Sequence, residues 1–221
     1  MKEASFVTFE GNEGVGKTTQ ISLVSEALKM HNVNFVRTRE PGGTFIAENI
    51  RRIILTIDNK GEEMDPKTEV LLFAAARAQH YEKFIKPSLN DGKMVICDRF
   101  LDSSIAYQGY GRKGTLKDIE KIYKLSLFAI GGEKSLPNLT ICLLLDPVLA
   151  FERKGGADKN DRMEQESIDF HNRIYSGFVD MAKKNPNRFV TIDASKTIEE
   201  VNADIVKVMK ERLPELKGIQ M

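Results

Sequence analysis

The sequence predicts an α/β fold, a parallel sheet with helices packed on both faces. Three observations predict it. Short apolar runs alternate with longer amphipathic stretches, the runs are apolar at nearly every position, and a glycine-rich turn joins the first run to the first helical stretch. Strands covered on both faces read as continuous apolar runs, and strands alternating with helices build parallel sheets. Taken in order, Ser5–Glu10 reads as a strand and Thr18–Met30 as a helix. Asn34–Thr38 is a second strand. Pro66 opens a helical stretch to about Asn90, standing at the first helical position, where its missing N–H is tolerated. Lys93–Asp98 is the third strand, Thr115–Ile130 is helical, Leu139–Leu145 is the fourth strand, Arg188–Ile192 the fifth, and Ile198–Leu213 a closing helix. Gly42-Gly43 and the stretch around Gly109, Gly111 and Gly114 read as loops. Arg153–Asp161 is polar, glycine-bearing and aperiodic, a mobile surface segment, and Asp161 with Glu164 has the capping-box spacing of a helix start.

With 221 residues, 41% hydrophobic and 29% charged, the chain suits one domain, residues 1–221, with a sizeable core. Its 33 Lys+Arg against 32 Asp+Glu leave a charge of +1, without the basic excess that a nucleic-acid polymer requires. No stretch approaches the roughly 20 apolar residues of a membrane span, and the first residues lack the apolar run of a signal peptide. Cys97 and Cys142 sit inside apolar runs, so both are expected reduced and buried, and the protein cytoplasmic.

Ligands of open α/β sheets bind beyond the carboxyl ends of the strands. There, Gly11-Asn12-Glu13-Gly14-Val15-Gly16-Lys17-Thr18 matches G-x-x-x-x-G-K-[ST] throughout, between a strand and a helix. The glycines let backbone N–H groups wrap a phosphate, and the helix N-terminus adds a positive dipole end. Lys17 is placed to reach the β- and γ-phosphates, and the Thr18 hydroxyl to ligate Mg²⁺. A chance match in a chain this long is on the order of one in a hundred. The fold expected is therefore the three-layer fold of P-loop NTPases. Asp58-Asn59-Lys60-Gly61 fits a GTPase D-x-x-G only by coincidence, since it follows no β run and sits in a polar loop.

Other strand ends carry chemistry too. Asp98-Arg99 closes the third strand: the carboxylate is placed to hold a Mg²⁺ shell, and the guanidinium fork to meet an acceptor phosphate. Arg39-Glu40-Pro41-Gly42-Gly43 makes a sharp turn after the second strand, aiming Arg39 or Glu40 at the same edge. Phe73 and Arg77 stand four apart, on one helix face, as a stacking ring and a donor fork for a nucleobase, or else as a core ring and an internally paired arginine. Ser103, Ser104, Tyr107 and Gln108 add hydroxyls and an amide beyond Arg99. Arg153, Lys154 and Lys159, before Asp161-Arg162, form a basic segment able to close over phosphates as a lid, about residues 153–162.

Together these pieces resemble the thymidylate kinases of the bacterial type, from Phe9 to about Phe178. The carrying motifs are Phe9–Thr19, Thr38-Arg39-Glu40-Pro41-Gly42-Gly43-Thr44, Phe73–Gln79, Asp98-Arg99 with Ser103–Gly109, and Asp161–Ser167. The resemblance implies transfer of the ATP γ-phosphate to thymidine monophosphate (dTMP) with Mg²⁺, a five-stranded sheet and a homodimer. By similarity, Phe73 stacks on thymine and Arg77 bonds its 4-carbonyl. Arg39 and Arg99 grip the acceptor phosphate, and Glu13 contacts the 3′-hydroxyl. Tyr107 crowds the 2′ position, and Ser104 and Gln108 complete the pocket. Lys17, Arg99, Asp98 and a lid arginine form the catalytic set, with Thr18 and Asp98 toward the metal.

Two departures stand out. The eukaryotic type carries an arginine in the phosphate loop at the place of Gly14, so here the lid must supply that charge. Arg153 is the candidate finger, with Arg162 the alternative. Phe100 also replaces the Tyr or His frequent in relatives. Two other readings compete: a different nucleoside or nucleotide kinase, in which Glu40 would deprotonate a 5′-hydroxyl, and a P-loop switch or motor without an acceptor. Lys17, Arg39, Arg77, Arg99, Arg153 and Arg162 all fall in motifs expected at one cleft, with Glu13, Asp98 and Glu164 as acidic counterweights, so a locally cationic site is expected in a neutral chain.

Overall fold

A computed structural model describes residues 4–56, 62–156 and 161–219. In chain order the elements are β1 (Phe6–Glu10), α1 (Lys17–Met30), β2 (Phe35–Arg39), α2 (Phe45–Leu55), α3 (Pro66–His80) and α4 (Lys86–Asn90), then β3 (Met94–Asp98), α5 (Leu101–Ser104) and α6 (Leu116–Ile130). β4 (Leu139–Leu144), α7 (Pro147–Lys154), α8 (Ile168–Lys184), β5 (Phe189–Asp193) and α9 (Ile198–Arg212) follow. A π-helical turn, Tyr81–Ile85, joins α3 to α4, so the helical stretch expected from Pro66 to Asn90 is continuous.

The five strands are all parallel, in the order β2-β3-β1-β4-β5. Side chains alternate across a strand, so each strand feeds two core layers. Val7, Phe9, Met94, Ile96, Leu139 and Ile141 pack with Ile21, Val24 and Leu28 of α1 and Val201, Ile205 and Met209 of α9. Phe6, Val95, Cys97 and Cys142 face the other way, onto Phe170, Ile174 and Phe178 of α8. This two-sided burial makes the strands read as unbroken apolar runs. Phe100 is fully buried and meets Phe6 edge-on at 4.9 Å between ring centroids, so the position is a core site here rather than a polar one.

Two expectations are corrected. The glycines at 109 and 111 do not mark a loop: Ile105–Gly111 is a π-helical turn continuing α5. They are there for close packing, because a Cβ at Gly111 would stand 2.7 Å from the Phe170 ring and one at Gly109 3.1 Å from Ile119. Nor does a helix start at Asp161. The Asp161 carboxylate accepts from the Met163 N–H in a turn, and α8 begins seven residues later, where Ser167 caps it by accepting from the Phe170 N–H. Residues 57–61, with the D-x-x-G match, and 157–160 of the expected lid, with Lys159, lie outside the described residues.

Candidate active site

β1 and β3 are paired with Phe9 opposite Asp98, and β2 with β3 with Arg39 opposite Asp98. That register delivers the phosphate loop, the Asp98-Arg99 end and the Arg39-Glu40 end to one edge of the sheet. A cavity of about 290 Å³ opens there, lined by Glu13, Gly14, Lys17, Thr18, Arg39, Phe73, Asp98, Arg99, Tyr107 and Gln108, among others.

The loop has no room for larger residues at two glycines. Gly11 has φ +129° and its Cβ would stand 2.3 Å from the Leu143 carbonyl oxygen. Gly14 has φ +74° and its Cβ would stand 2.2 Å from the Ala150 carbonyl oxygen of α7. An arginine is therefore excluded at Gly14 by the backbone of α7, which is the physical reason for the first departure noted above. Val15 anchors the loop in the core, and the buried Asn12 amide donates to the His171 carbonyl at 3.1 Å. Gly16 leads into α1 in a left-handed conformation.

Lys17 is buried, and its Nζ donates to the loop's own carbonyls at Gly11 (3.1 Å) and Asn12 (2.6 Å). Burial, helped by the Arg99 charge, lowers its ammonium to about 8, against the pull of Asp98, Glu13 and Glu10. Arg99 occupies the left-handed region at φ +66° and donates to the Gly11 carbonyl (2.9 Å), Ser103 Oγ (3.1 Å) and Glu13 Oε1 (2.7 Å). The Tyr107 hydroxyl donates to the other Glu13 oxygen at 2.5 Å. Burial alone would raise the Glu13 carboxyl, but Arg99, Lys17 and this hydroxyl hold it at about 2. Behind them, the fully buried Glu10 accepts from the Phe100 N–H (2.8 Å) and from Ser103 Oγ (2.5 Å), fixing the turn that carries Arg99. Burial and the nearby Asp102 raise the Glu10 carboxyl to about 8.

Asp98 Oδ1 is buried with no hydrogen-bond partner. It lines the cavity together with Thr18, which is exposed at the start of α1. An orphaned carboxylate oxygen next to a hydroxyl is an oxygen donor set that fits Mg²⁺.

Some expected residues stand elsewhere. Arg77 lies behind the cavity wall, 2% exposed. Its Nε donates to Glu40 Oε2 (2.8 Å), Nη2 to Ser104 Oγ (2.8 Å) and the Phe100 carbonyl (3.2 Å), and Nη1 to Ser126 Oγ (3.3 Å). Four of its five N–H groups are thus engaged by the protein, and Ser104 is engaged with it. Arg153, at the end of α7, donates to the Ala194 carbonyl at 2.8 Å and does not line the cavity, whereas its neighbour Lys154 does, ion-paired with Glu164. Arg162 turns away to Glu69, at 2.6 Å. Arg39 lines the cavity but is half exposed and paired with Glu48 at 2.9 Å.

Two residues went unread in the sequence. Arg51, on α2, lines the cavity and donates to the Pro41 carbonyl at 3.0 Å. Its only signal was its place nearly two turns into the helix after the Pro41-Gly42-Gly43 turn. Glu69, one turn before Phe73 on α3, is a buried carboxylate among Arg112, Arg162 and Gln108. The lining also corrects the expected cationic cleft: Lys17, Arg39, Arg51, Arg99 and Lys154 are matched by Glu13, Glu40, Asp98, Asp161 and Glu164.

A parallel sheet with a phosphate loop at its carboxyl edge, facing a wall of Phe73 and Gln108, defines a P-loop nucleotide phosphotransferase. The thymidylate kinase family model matches residues 9–205. The chain is 45% identical over 212 residues to thymidylate kinase of Lactobacillus acidophilus, covering 95% of both chains, and 42% identical over 215 residues to that of Halalkalibacterium halodurans, covering 96% of this chain and 99% of the other. The crystal structure of thymidylate kinase from Ehrlichia chaffeensis superposes with a TM-score of 0.70 at 36% identity, over 93% of this chain and 98% of that one. The chain belongs to the thymidylate kinase family.

Proposed function

We propose that the chain transfers the γ-phosphoryl group of ATP to dTMP, yielding ADP and thymidine diphosphate. The observation that carries this reading is one cavity in which Lys17 and Thr18, Arg99, and the Phe73–Gln108 wall all meet. A donor phosphate chain on the loop then faces an acceptor phosphate near Arg99, Arg39 and Arg51, with the base against Phe73. An acceptor phosphate oxygen attacks the γ-phosphorus as the bond to the β–γ bridging oxygen breaks, and the electron pair leaves on ADP. The acceptor phosphate is already ionised near neutrality, so positioning and charge compensation suffice without a general base. Thr18 and the free Asp98 oxygen would hold Mg²⁺, which supplies charge neutralisation on the donor phosphates.

Glu40 is unsuited to deprotonating a hydroxyl. Its two oxygens are held by Arg77 Nε (2.8 Å) and His80 Nδ1 (3.1 Å), which disfavours a nucleoside as acceptor. For the lid charge we favour Lys154 over Arg153, because Lys154 lines the cavity. Lys154 and Asp161 within the expected lid at residues 153–162, and Met163 and Glu164 just after it, line the cavity, which supports its role at the donor phosphates. ADP release from Mg-ATP is expected with dTMP and to be far weaker with thymidine, dCMP or purine nucleotides. Turnover that ignores every acceptor would overturn the reading in favour of a switch.

The homodimer belongs to the same reading. Phe45 on α2, Leu71 on α3 and Phe128 on α6 are exposed at 84%, 58% and 83%, and α3 packs against both α2 and α6. Large apolar side chains left exposed on three adjoining helices support an interface there. Sedimentation equilibrium should return twice 24.9 kDa, and Phe128→Glu should shift the mass toward the monomer. Cys97 and Cys142 are free and buried, in keeping with a cytoplasmic protein.

A further inference from the structure

Glu40 lines the cavity at the turn after β2, between Arg39 and Pro41. It is 4% exposed, and both its oxygens are engaged from α3: Arg77 Nε donates to Oε2 at 2.8 Å and His80 Nδ1 to Oε1 at 3.1 Å. Arg77 and His80 stand three apart, on one helix face. A carboxylate facing a guanidinium accepts, so His80 Nδ1 carries the hydrogen of that bond. The fully buried His80 ring is fixed on two further sides. Its Nε2 meets the Thr38 hydroxyl of β2 at 2.6 Å, and its face stacks on Phe84 with ring centroids 5.8 Å apart. The turn rests directly on this ring, because a Cβ at Gly43 would stand 2.4 Å from Nε2. A cation of the acceptor side hangs on the same turn. Arg51 lines the cavity and donates to the Pro41 carbonyl, a neutral partner. Burial and the neighbouring Arg39 charge lower its guanidinium below the ordinary arginine value, against the pull of Asp161 and Glu48.

We propose that His80 is a positioning residue that holds the Glu40 carboxylate away from Arg51, so that this guanidinium stays open to the acceptor phosphate. The inference rests on the dTMP reading above. Without the His80 bond, Glu40 keeps its charge but its Oε1 lacks a partner in a nearly closed wall, which is costly. Turned toward the cavity, that oxygen meets Arg51 on the same wall. An internal anion seated there competes with the phosphate for the same fork. His80 does not touch the substrate. It acts through Glu40, and its effect falls on capture of the acceptor, while the donor side on Lys17 and Thr18 is unaffected.

The test measures kcat, KM for dTMP, KM for ATP and thermal melting. His80→Asn keeps an amide donor at the place of Nδ1 and loses the Thr38 bond. His80→Gln carries its amide one bond farther, at the place of Nε2, and loses the Glu40 bond. Both should melt below wild type. Only His80→Gln should raise KM for dTMP, by about tenfold or more, with KM for ATP within about twofold. His80→Asn should keep KM for dTMP within about threefold of wild type. In a Glu40→Gln background, which removes the charge that His80 holds back, His80→Gln should raise KM for dTMP no further. If His80→Gln does not fold, His80→Phe, which keeps the ring on Phe84 and removes both bonds, carries the same expectation. A wild type that leaves dTMP unphosphorylated overturns the parent reading and the proposal with it. With an active wild type, the proposal alone is overturned by an unchanged KM for dTMP in a folded variant lacking the Glu40 bond, by equal losses in His80→Asn and His80→Gln, or by a further rise in the Glu40→Gln background.

Discussion

Arg99→Ala should reduce kcat/KM for dTMP by about 10³-fold, the scale on which a single arginine stabilises charge in phosphoryl transfer. Arg99 is bound on three sides, by the Gly11 carbonyl, Ser103 and Glu13, so its fork is held in place before any substrate arrives. Truncation also leaves Glu13 facing the acceptor with only Lys17 and Tyr107 to offset it. Two variants separate chemistry from folding. Alanine at φ +66° keeps the left-handed strain, about 1–2 kcal/mol for a residue with a Cβ. Glycine does not, so Arg99→Gly should melt higher than Arg99→Ala while being equally inactive. Steady-state kinetics with thermal melting checks both. Activity within tenfold of wild type in either variant would remove Arg99 from the site.

Lys17→Met should lower kcat by about 10²- to 10³-fold, the usual cost of removing one donor aimed at developing charge. Its Nζ rests on the Gly11 and Asn12 carbonyls of the phosphate loop, so on binding a donor phosphate the side chain would exchange one set of oxygens for another. Methionine keeps the buried stem and removes only the charge. Acceptor affinity, measured by calorimetry with dTMP alone, should therefore stay within about threefold while ATP affinity falls. A loss confined to dTMP binding would contradict the placement of Lys17 on the donor side.

The parts of this site legible in the sequence are those where chemistry dictates residue type at fixed spacing. Gly11 to Thr18 is such a case, since Gly11 and Gly14 are each demanded by a close carbonyl, Gly16 by its left-handed backbone, and Lys17 by phosphate. β1, β3 and β4 were legible because they are buried on both faces. Arg51 and Glu69 were not. Each is a lone charge on an amphipathic helix, and nothing in its neighbours tells a solvated face from one folded over a cavity. Gly109 and Gly111 misled for a related reason, because a glycine that permits a turn and one that admits a neighbouring ring look the same. At Asp161 the capping spacing was real, but the side chain served a turn and Ser167 the helix. Arg77 was visible as an arginine needing a partner; that Glu40 would be that partner depended on the β2–β3 register.

The even match of positive and negative side chains around the cavity has a consequence for how the substrate arrives. Glu13 already acts as counter-ion to Arg99, and Glu164 to Lys154. An incoming phosphate therefore meets no bare positive field, and its gain is the exchange of one internal anion for another. Capture should depend only weakly on ionic strength, unlike electrostatically steered association. Inorganic phosphate and polyanions, lacking a base to seat against Phe73 and Gln108, should compete poorly. Neutrality at the mouth makes the nucleoside part, rather than charge, the condition of entry.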